Sequence, residues 1–187
     1  MVLGHVIFSF DNKYSMYRNL KLNECDKYSD NYTINRIDPE IKIKTKKHIS
    51  CTYDNFTIVS DQFKAFCEQE GYEGLEFVTL PNSSGFFWFK ILNVIKLDEK
   101  GHRKGFSGIQ FINYNEQCHG YESIIGVSPV FLKVKELIPD GFYRSDLCFG
   151  SFAAKTPAQI IGIETLKKLK AAGFKGMDTS EIMDKYD

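Results

Sequence analysis

The chain has 187 residues, enough for one domain with a substantial buried core. Its 24 Lys and Arg residues balance 24 Asp and Glu residues, so a generally basic surface that seeks nucleic acid is not indicated. The apolar and charged fractions, 43% and 26%, are typical of a globular protein. We therefore predict a single domain over residues 1–187.

The five cysteines lie at wide spacings without a CxxC pair. Their odd number favours reduced thiols in the cytoplasm over a disulfide framework. The apolar run at residues 2–10 is too short to span a membrane and lacks the basic start and small-residue cleavage site of a signal peptide. We therefore expect a cytoplasmic protein without membrane contact.

The N-terminal run predicts a first strand, and a tyrosine-rich segment follows it at residues 11–35. This segment has no clean period, which predicts irregular backbone with a short helix near residues 15–20. Tyrosine offers a large amphipathic contact at low entropic cost, so the segment is a candidate binding face. The alternative is a loop wrapped over the core. The candidate residues are Tyr14, Tyr17, Tyr28 and Tyr32.

Isoleucine and lysine alternate along residues 41–49, which predicts an edge strand with the isoleucines facing inward. Exposed lysines protect edge strands against unwanted pairing. The competing interpretation is a docking strip for an acidic partner or for phosphate. The residues concerned are Lys42, Lys44 and Lys46.

The strongest local pattern is a strand, a helix, a glycine turn and a second strand over residues 56–80. Ser60 is a good N-cap, because its hydroxyl can accept from the unpaired amides of the first helical turn. Gly71 and Gly74 stand where the helix ends and the chain bends, positions that favour glycine. The second strand, at residues 75–80, is predicted to be covered on both faces.

Residues 86–96 are apolar on both faces and predict a central strand, paired as a hairpin with the preceding one and carrying Trp88 into the core. A charged, glycine-rich loop follows at residues 98–108, and then a strand at residues 109–114. Residues 130–137 fit either a helix or a strand.

A fainter copy of the first unit occupies residues 158–180, at an offset of 102 residues. Gly173 and Gly176 replace Gly71 and Gly74 in this copy. Chance recurrence of a common helix–turn–strand unit is the alternative interpretation. The tail beyond the copy is charged and is predicted to be helical.

No catalytic motif of comparable strength occurs: GxSxG, HExxH and the paired cysteines of zinc sites are all missing. Cys118 and His119 are adjacent and supply at most half of one ligand pair. We predict no catalytic residue, no metal and no cofactor.

The first unit nevertheless carries a family resemblance. An apolar pair and a serine, an amphipathic helix and Gly-x-x-Gly-Leu-Glu-Phe resemble predicted immunity proteins that accompany bacterial polymorphic toxins. A strand bearing Arg144 before the second unit also fits that pattern, whereas the CxxCG pairs of some relatives are reduced here to Cys118-His119-Gly120. The matching residues are Ile58, Val59, Ser60, Phe63, Gly71, Gly74, Leu75, Glu76 and Phe77. The resemblance implies a protein that binds a cognate toxin and blocks it, without catalysis.

We therefore predict an α+β fold, with a mostly antiparallel sheet, a few short helices and two similar strand–helix–strand units. The first functional hypothesis is an immunity-type protein whose tyrosine and lysine segments bind a toxin. The alternative is an enzyme or a small-ligand-binding module with a cleft between the two units. A third hypothesis, nucleic-acid binding through residues 42–47, conflicts with the neutral net charge.

Overall fold

The computed structural model describes residues 1–100 and 108–185, and it has an α+β fold. Residues 101–107 of the predicted charged loop, with His102, Arg103 and Lys104, lie outside the described residues. The strands and α-helices follow one another as β1 Val2–Ser9, α1 Asn31–Ile34, β2 Ile49–Cys51, β3 Thr57–Ser60, α2 Asp61–Gln69, β4 Leu75–Thr79, β5 Phe86–Ile91, β6 Val94–Ile95, β7 Gln110–Asn115, β8 Gly120–Ile125, β9 Phe142–Ser151, β10 Thr156–Ile161, α3 Ile163–Ala171 and β11 Met177–Met183.

The strands form two sheets, ordered β2-β3-β5-β4 and β11-β1-β10-β9-β8-β7, with the short β6 parallel to β9. In the first sheet β5 lies between β3 and β4 and is antiparallel to both. In the second sheet β1 lies between β10 and β11 in the same way. Each unit is therefore a split β-α-β arrangement, whose two parallel strands are separated by a strand from elsewhere in the chain. The two predicted units are confirmed.

The helices of the two units, α2 and α3, begin where the sequence indicates, whereas α1 was not predicted. Ser60 Oγ accepts a hydrogen bond from the amide of Phe63 at 3.3 Å and caps α2, while Gly162 occupies the same position before α3 without a side-chain cap. Both helices end before glycines with positive φ: Gly71 at 69° and Gly173 at 71°. The second glycine of each turn, Gly74 or Gly176, also has positive φ, at 69° and 105°.

A central core joins the two units. Its buried members come from both sheets and both helices: Ile7, Ile49, Val59, Phe63, Cys67, Phe89, Ile91, Phe142, Ile161, Leu166 and Leu169. Phe63 of α2 makes edge-to-face contacts with Phe142 of β9 and with Phe174, which follows α3. Tyr72 follows α2 at the equivalent position and contacts Phe142. The apolar faces of both helices are thus buried against the same aromatic cluster.

Three sequence expectations about individual elements are wrong. Strand β4 is the edge strand of its sheet, so Glu76 and Thr79 are exposed and its faces are only partly covered. Residues 130–137 form neither helix nor strand beyond a single bridge between Leu132 and Leu97. The tail after residue 180 continues β11, because β1 would otherwise have an open edge and Ile182 is completely buried there.

The expectation of five reduced thiols is also wrong, because Cys25 and Cys118 form a disulfide across 93 residues of sequence. The bond joins the short 3-10 turn Glu24–Tyr28 to the connection between β7 and β8. Sequence spacing could not indicate this pairing, since only the fold brings two such distant positions together. Cys51, Cys67 and Cys148 remain free thiols.

The buried ammonium of Lys155 reinforces the same junction. Its three donors are all used by backbone carbonyl oxygens from separate segments of the chain. These acceptors are Phe152 at 2.6 Å, Lys27 at 3.0 Å and Glu122 at 3.2 Å. Burial lowers the Lys155 pKa to about 8.

Candidate partner-binding face

The tyrosine segment and the lysine strip meet on one surface. The Tyr14 hydroxyl donates to the carbonyl oxygen of Lys44 at 3.3 Å and accepts from the amide of the same residue at 3.1 Å. Further along, Lys47 Nζ donates to the carbonyl oxygen of Asp11 at 2.6 Å. The two stretches that the sequence marked separately as candidate contacts are therefore neighbours.

One carboxylate orders the tyrosine segment. Asp54, which is 7% exposed, accepts from the backbone amides of Met16 at 2.9 Å and Tyr17 at 2.7 Å. It also accepts from the hydroxyls of Ser15 at 2.7 Å and Thr52 at 2.5 Å. These bonds hold the chain in an irregular path where a short helix was expected, so that expectation is wrong. A buried carboxylate with four donors explains how a segment without periodicity is ordered.

The lysine strip is not an edge strand. Ile41 and Ile43 are buried as the alternation predicts, but residues 41–47 pair with no strand of the described chain, and pairing begins only at His48, whose carbonyl accepts the amide of Ser60 at 2.9 Å. A side chain takes the place of a neighbouring strand: Ser83 Oγ accepts from the amide of Ile43 at 2.8 Å and donates to the carbonyl of Ile41 at 3.0 Å. Lys42, Lys44 and Lys46 point outward and are exposed. With no sheet edge at this place, edge protection does not explain these lysines.

Further cations and an exposed aromatic ring complete this surface. A shallow groove of about 350 Å³ is lined by Lys13, Arg18 and Lys42 together with Tyr14 and Tyr53. Tyr53 is 65% exposed, which is high for a tyrosine. Sequence analysis missed Tyr53, which lies outside both marked segments, and did not single out Lys13 and Arg18 within the tyrosine-rich segment. We call the surface formed by Lys13, Tyr14, Arg18, Lys42, Lys44, Lys46 and Tyr53 the basic–aromatic face.

Acidic groups beside this face are few or already engaged. Asp38 is buried and accepts from the side-chain amide of Asn19 at 2.7 Å and from the amide of Glu40 at 2.9 Å. Glu40 is exposed at the rim of the groove. The five cations of the face outnumber the carboxylates of Asp11, Asp38, Glu40 and Asp54 beside it, so the face has a small net positive charge although the whole chain is neutral.

The other tyrosines of the segment lie in different surroundings. Tyr17 packs edge-to-face against Phe56, and burial raises its pKa. Tyr32 packs on Trp88, and its hydroxyl oxygen accepts a hydrogen bond from the amide of Ile91 at 2.9 Å. Burial raises the Tyr32 pKa to about 12. These contacts belong to a separate apolar core, whose buried members include Met16 and Trp88.

Tyr28 is half-buried in the 3-10 turn next to the disulfide, and its backbone lies against Gly120. Of the four candidate tyrosines, Tyr14 is therefore the one that joins the lysine strip. A binding role for Tyr17, Tyr28 and Tyr32 stays a prediction.

A pocket of about 230 Å³ lies between the two units, at the place where the alternative hypothesis put a cleft. Strands β1, β3 and β10 contribute to its walls, as does Cys51 of β2. Within residues 1–100 and 108–185, Cys51 is the one titratable side chain of the lining, and burial raises its thiol pKa. A raised pKa keeps the thiol protonated and weakens it as a nucleophile.

Comparisons of the chain with protein-family models, curated proteins and solved structures gave no match. Within residues 1–100 and 108–185, no helix is long and apolar enough to cross a lipid bilayer. The same residues contain no group of three His, Cys, Asp or Glu side chains placed to hold a metal ion.

Proposed function

We propose that this protein is a non-catalytic, immunity-type protein that binds a cognate bacterial toxin and neutralises it by direct contact. The basic–aromatic face is the contact surface. The observation that carries this choice is the lysine strip, where three exposed lysines extend from a backbone that belongs to neither described sheet. Buried isoleucines and Ser83 hold that backbone, so the attachment points of the lysines are fixed before a partner arrives.

The face suits an acidic protein surface. Complementary charge accelerates association and discriminates between partners, while aromatic side chains and arginine contribute much of the binding energy in protein interfaces. Tyr14 has its hydroxyl fixed by the Lys44 backbone, so binding would cost it little further conformational entropy. Tyr53 and Arg18 supply exposed side chains of the types that are enriched at interface centres.

The cytoplasm, where a producing cell would first meet its own toxin, is the proposed site of action. Disulfides are uncommon in that compartment. The Cys25–Cys118 bond is therefore the feature whose state in cells bears most directly on this part of the proposal.

The alternative function, an enzyme or a small-ligand-binding module, would use the pocket between the units. Acid–base chemistry requires titratable groups positioned in the site. The pocket lining offers the Cys51 thiol with a raised pKa and otherwise neutral side chains. This composition favours a binding protein over an acid–base catalyst.

A growth-rescue assay tests the proposal. The reading frame immediately upstream of this gene is expressed in a naive host with and without the protein, and the two products are tested for co-purification. We expect toxicity that the protein relieves, together with a stable complex. Absence of either toxicity or a complex would count against the immunity function.

Two double variants locate the interface. Lys42→Glu/Lys44→Glu reverses charge on the basic–aromatic face, and Lys133→Glu/Lys135→Glu makes the same charge change at exposed positions in the 130–137 segment. We expect only the first variant to lose complex formation and rescue. Equal effects of the two variants would refute the basic–aromatic face as the contact surface. Retention on heparin above physiological salt would instead support nucleic-acid binding.

A further inference from the structure

The pocket between the units has an apolar wall. Strand β1 contributes Val6 and Phe8, the segment after β8 contributes Val127, and β9 and β10 contribute Phe149 and Ala158. Among the residues that the structure describes, no charged side chain lines it. The pocket is therefore unsuited to a carboxylate or a phosphate, each of which needs cationic or amide donors.

Three of the polar side chains that line the pocket already donate hydrogen bonds within the protein. The Gln159 side-chain amide donates to Thr57 Oγ1, and the Asn55 side-chain amide donates to the carbonyl oxygen of Ala154 at 2.8 Å. The Cys51 thiol donates to the carbonyl oxygen of Ser9 at 3.1 Å. A group that enters the pocket therefore meets mainly carbon, which favours an uncharged, apolar occupant.

The volume fits a single large side chain. A cavity of about 150 Å³ accepts a benzene molecule, and this pocket measures about 230 Å³. It therefore has room for the ring of a phenylalanine or for a branched aliphatic side chain, with space for the atoms that connect the side chain to its own backbone.

The pocket lies near the basic–aromatic face. Two chain segments run side by side from one to the other: the amide of Cys51 donates to the carbonyl of Phe10 at 3.0 Å, and the amide of Tyr53 donates to the carbonyl of Tyr14 at 2.8 Å. Cys51 lines the pocket and Tyr53 lines the groove of the face. Extended chain rises about 3.3 Å per residue, so the two sites are within the span of one partner surface.

Two exposed phenylalanines mark the rim between the sites. Phe8 and Phe10 are 41% and 48% exposed. Lys47 Nζ lies 5.8 Å from the centre of the Phe10 ring, so apolar and cationic groups are already in contact here. An exposed apolar patch next to charged residues is typical of a protein-binding surface.

We infer that this pocket receives one apolar side chain from the acidic partner surface that binds the basic–aromatic face. The inference rests on the proposed function and adds a chemical specification to it. The partner presents carboxylates around a single large apolar residue. The carboxylates contact the lysines, and the apolar residue enters the pocket between the two units.

Defined peptides test the inference on the full chain. The probes are acetylated, amidated pentapeptides of the sequence Glu-Glu-Phe-Glu-Glu and the counterpart with alanine at the centre. Binding is followed by amide chemical shifts of the nitrogen-15-labelled protein. We expect both peptides to shift amides of the lysine strip, and only the phenylalanine peptide to shift those of Val6, Phe149 and Gln159. Its affinity should be about tenfold higher, as burial of one such ring predicts.

A filled pocket provides the matched variant. Ala158→Phe should abolish the difference between the two peptides, whereas Ala171→Phe, at an exposed position of α3 outside the pocket, should leave the difference intact. The chemical-shift map is measured on the unmodified protein. It can therefore refute the inference even if Ala158→Phe does not fold.

Two results would overturn the inference. One is equal affinity for the phenylalanine and alanine peptides, or a phenylalanine peptide that shifts no amide of the residues lining the pocket. The other is binding of benzyl alcohol, a neutral aromatic probe, as tightly as the phenylalanine peptide, which would make the pocket a small-molecule site independent of charge. Growth rescue without a difference between the two peptides would refute the role of the pocket and leave the immunity function standing. A difference between the peptides without growth rescue would refute the toxin as partner and leave the role of the pocket standing.

Discussion

Gln159 donates a side-chain hydrogen bond to Thr57, and the two residues are 102 positions apart, the same offset that aligns the two units. Equivalent residues of the two units therefore touch each other. Contact between equivalent residues is typical of the axis of a symmetric interface. Thr57 and Gln159 are 7% and 9% exposed, so the bond lies inside the protein and at the base of the pocket between the units.

The Thr57–Gln159 bond should show strong coupling in a double-mutant cycle. Thr57→Val or Gln159→Leu alone leaves a buried polar group without its partner and should lower the free energy of unfolding by about 1–3 kcal/mol. The double variant removes both groups and should cost less than the two single effects combined. Urea denaturation measures all four proteins, and additive effects would contradict a direct bond.

In each unit, alanine should destabilise the protein more at the second glycine of the turn than at the first. Gly71 and Gly173 have positive φ but open space where a Cβ would lie, so alanine should cost about 1 kcal/mol through backbone strain. A Cβ at Gly74 would overlap the Asn93 side chain, and one at Gly176 would overlap the carbonyl oxygen of Ile49.

We therefore expect stability losses in the order Gly176→Ala, then Gly74→Ala, then the two open positions. Backbone at Ile49 moves less readily than the end of the Asn93 side chain, although Asn93 is itself hydrogen-bonded to the carbonyls of Glu73 and Phe142. Melting temperatures of the four variants give the order, and equal losses at all four positions would show that crowding is not the cause.

Asp54 should keep the backbone of the basic–aromatic face rigid. Asp54→Ala removes the acceptor of the Met16 and Tyr17 amides, and hydrogen exchange at those two amides should accelerate far more than exchange in β5. Asp54→Asn keeps one carbonyl oxygen and should show an intermediate effect. Unchanged protection of the two amides in Asp54→Ala would mean that the segment is ordered by its packing alone.

The disulfide should be visible in a count of reactive thiols. Burial raises the pKa of Cys67 and Cys148 to about 12 and also raises that of Cys51, so none of the three should alkylate quickly at neutral pH. We expect two additional labelled cysteines after reduction, identified as Cys25 and Cys118 by peptide mass. Cys25→Ser should lower the free energy of unfolding by about 2–4 kcal/mol, because the bond restricts the unfolded chain.

The same experiment tests the compartment. Alkylation of intact cells before lysis traps the state of the pair in place. Labelled Cys25 and Cys118 in protein from the cytoplasm would show that the bond forms only after extraction, whereas protected cysteines would place the protein in an oxidising environment or show that the bond survives reduction.

Lys155 should make stability increase with alkaline pH. Its pKa is about 8 in the folded protein, against 10.5 for a free lysine. Below pH 8 both states hold the proton; between pH 8 and 10.5 the unfolded state binds more protons, so the free energy of unfolding rises with pH. Lys155→Met should lack this rise, and the difference between the two pH curves isolates the group from titrating tyrosines. Parallel curves would contradict the lowered pKa.

Much of the local structure could be predicted from sequence because single residues determine it. A serine before an apolar helical stripe caps a helix, and glycines after it adopt positive φ, at Ser60, Gly71 and Gly74 alike. The turn between β4 and β5, the burial of Trp88 and the alternating burial of Ile41 and Ile43 have the same origin. In each case the residue's own conformational or solvation preference is enough.

The candidate face was only half predictable. The sequence indicates the lysines and Tyr14 as candidate contact residues, but their proximity depends on the contact of Tyr14 with Lys44, 30 residues away in the sequence. The role of Asp54 gives no sequence signal, because an acidic residue in a turn is ordinarily solvated. Its four donors come from two segments that only the folded chain brings together.

The sequence by itself determined the α+β class, the two similar units and the identity of their caps and glycine turns, since these follow from periodicity and backbone preference. Tertiary structure alone decided that β1 and β5 enter between the parallel strands of the two units, that the tail becomes β11, and that Cys25 reaches Cys118. The reason is physical: strand pairing, burial of a sheet edge and disulfide formation depend on which distant segments are adjacent, and no local preference encodes that adjacency.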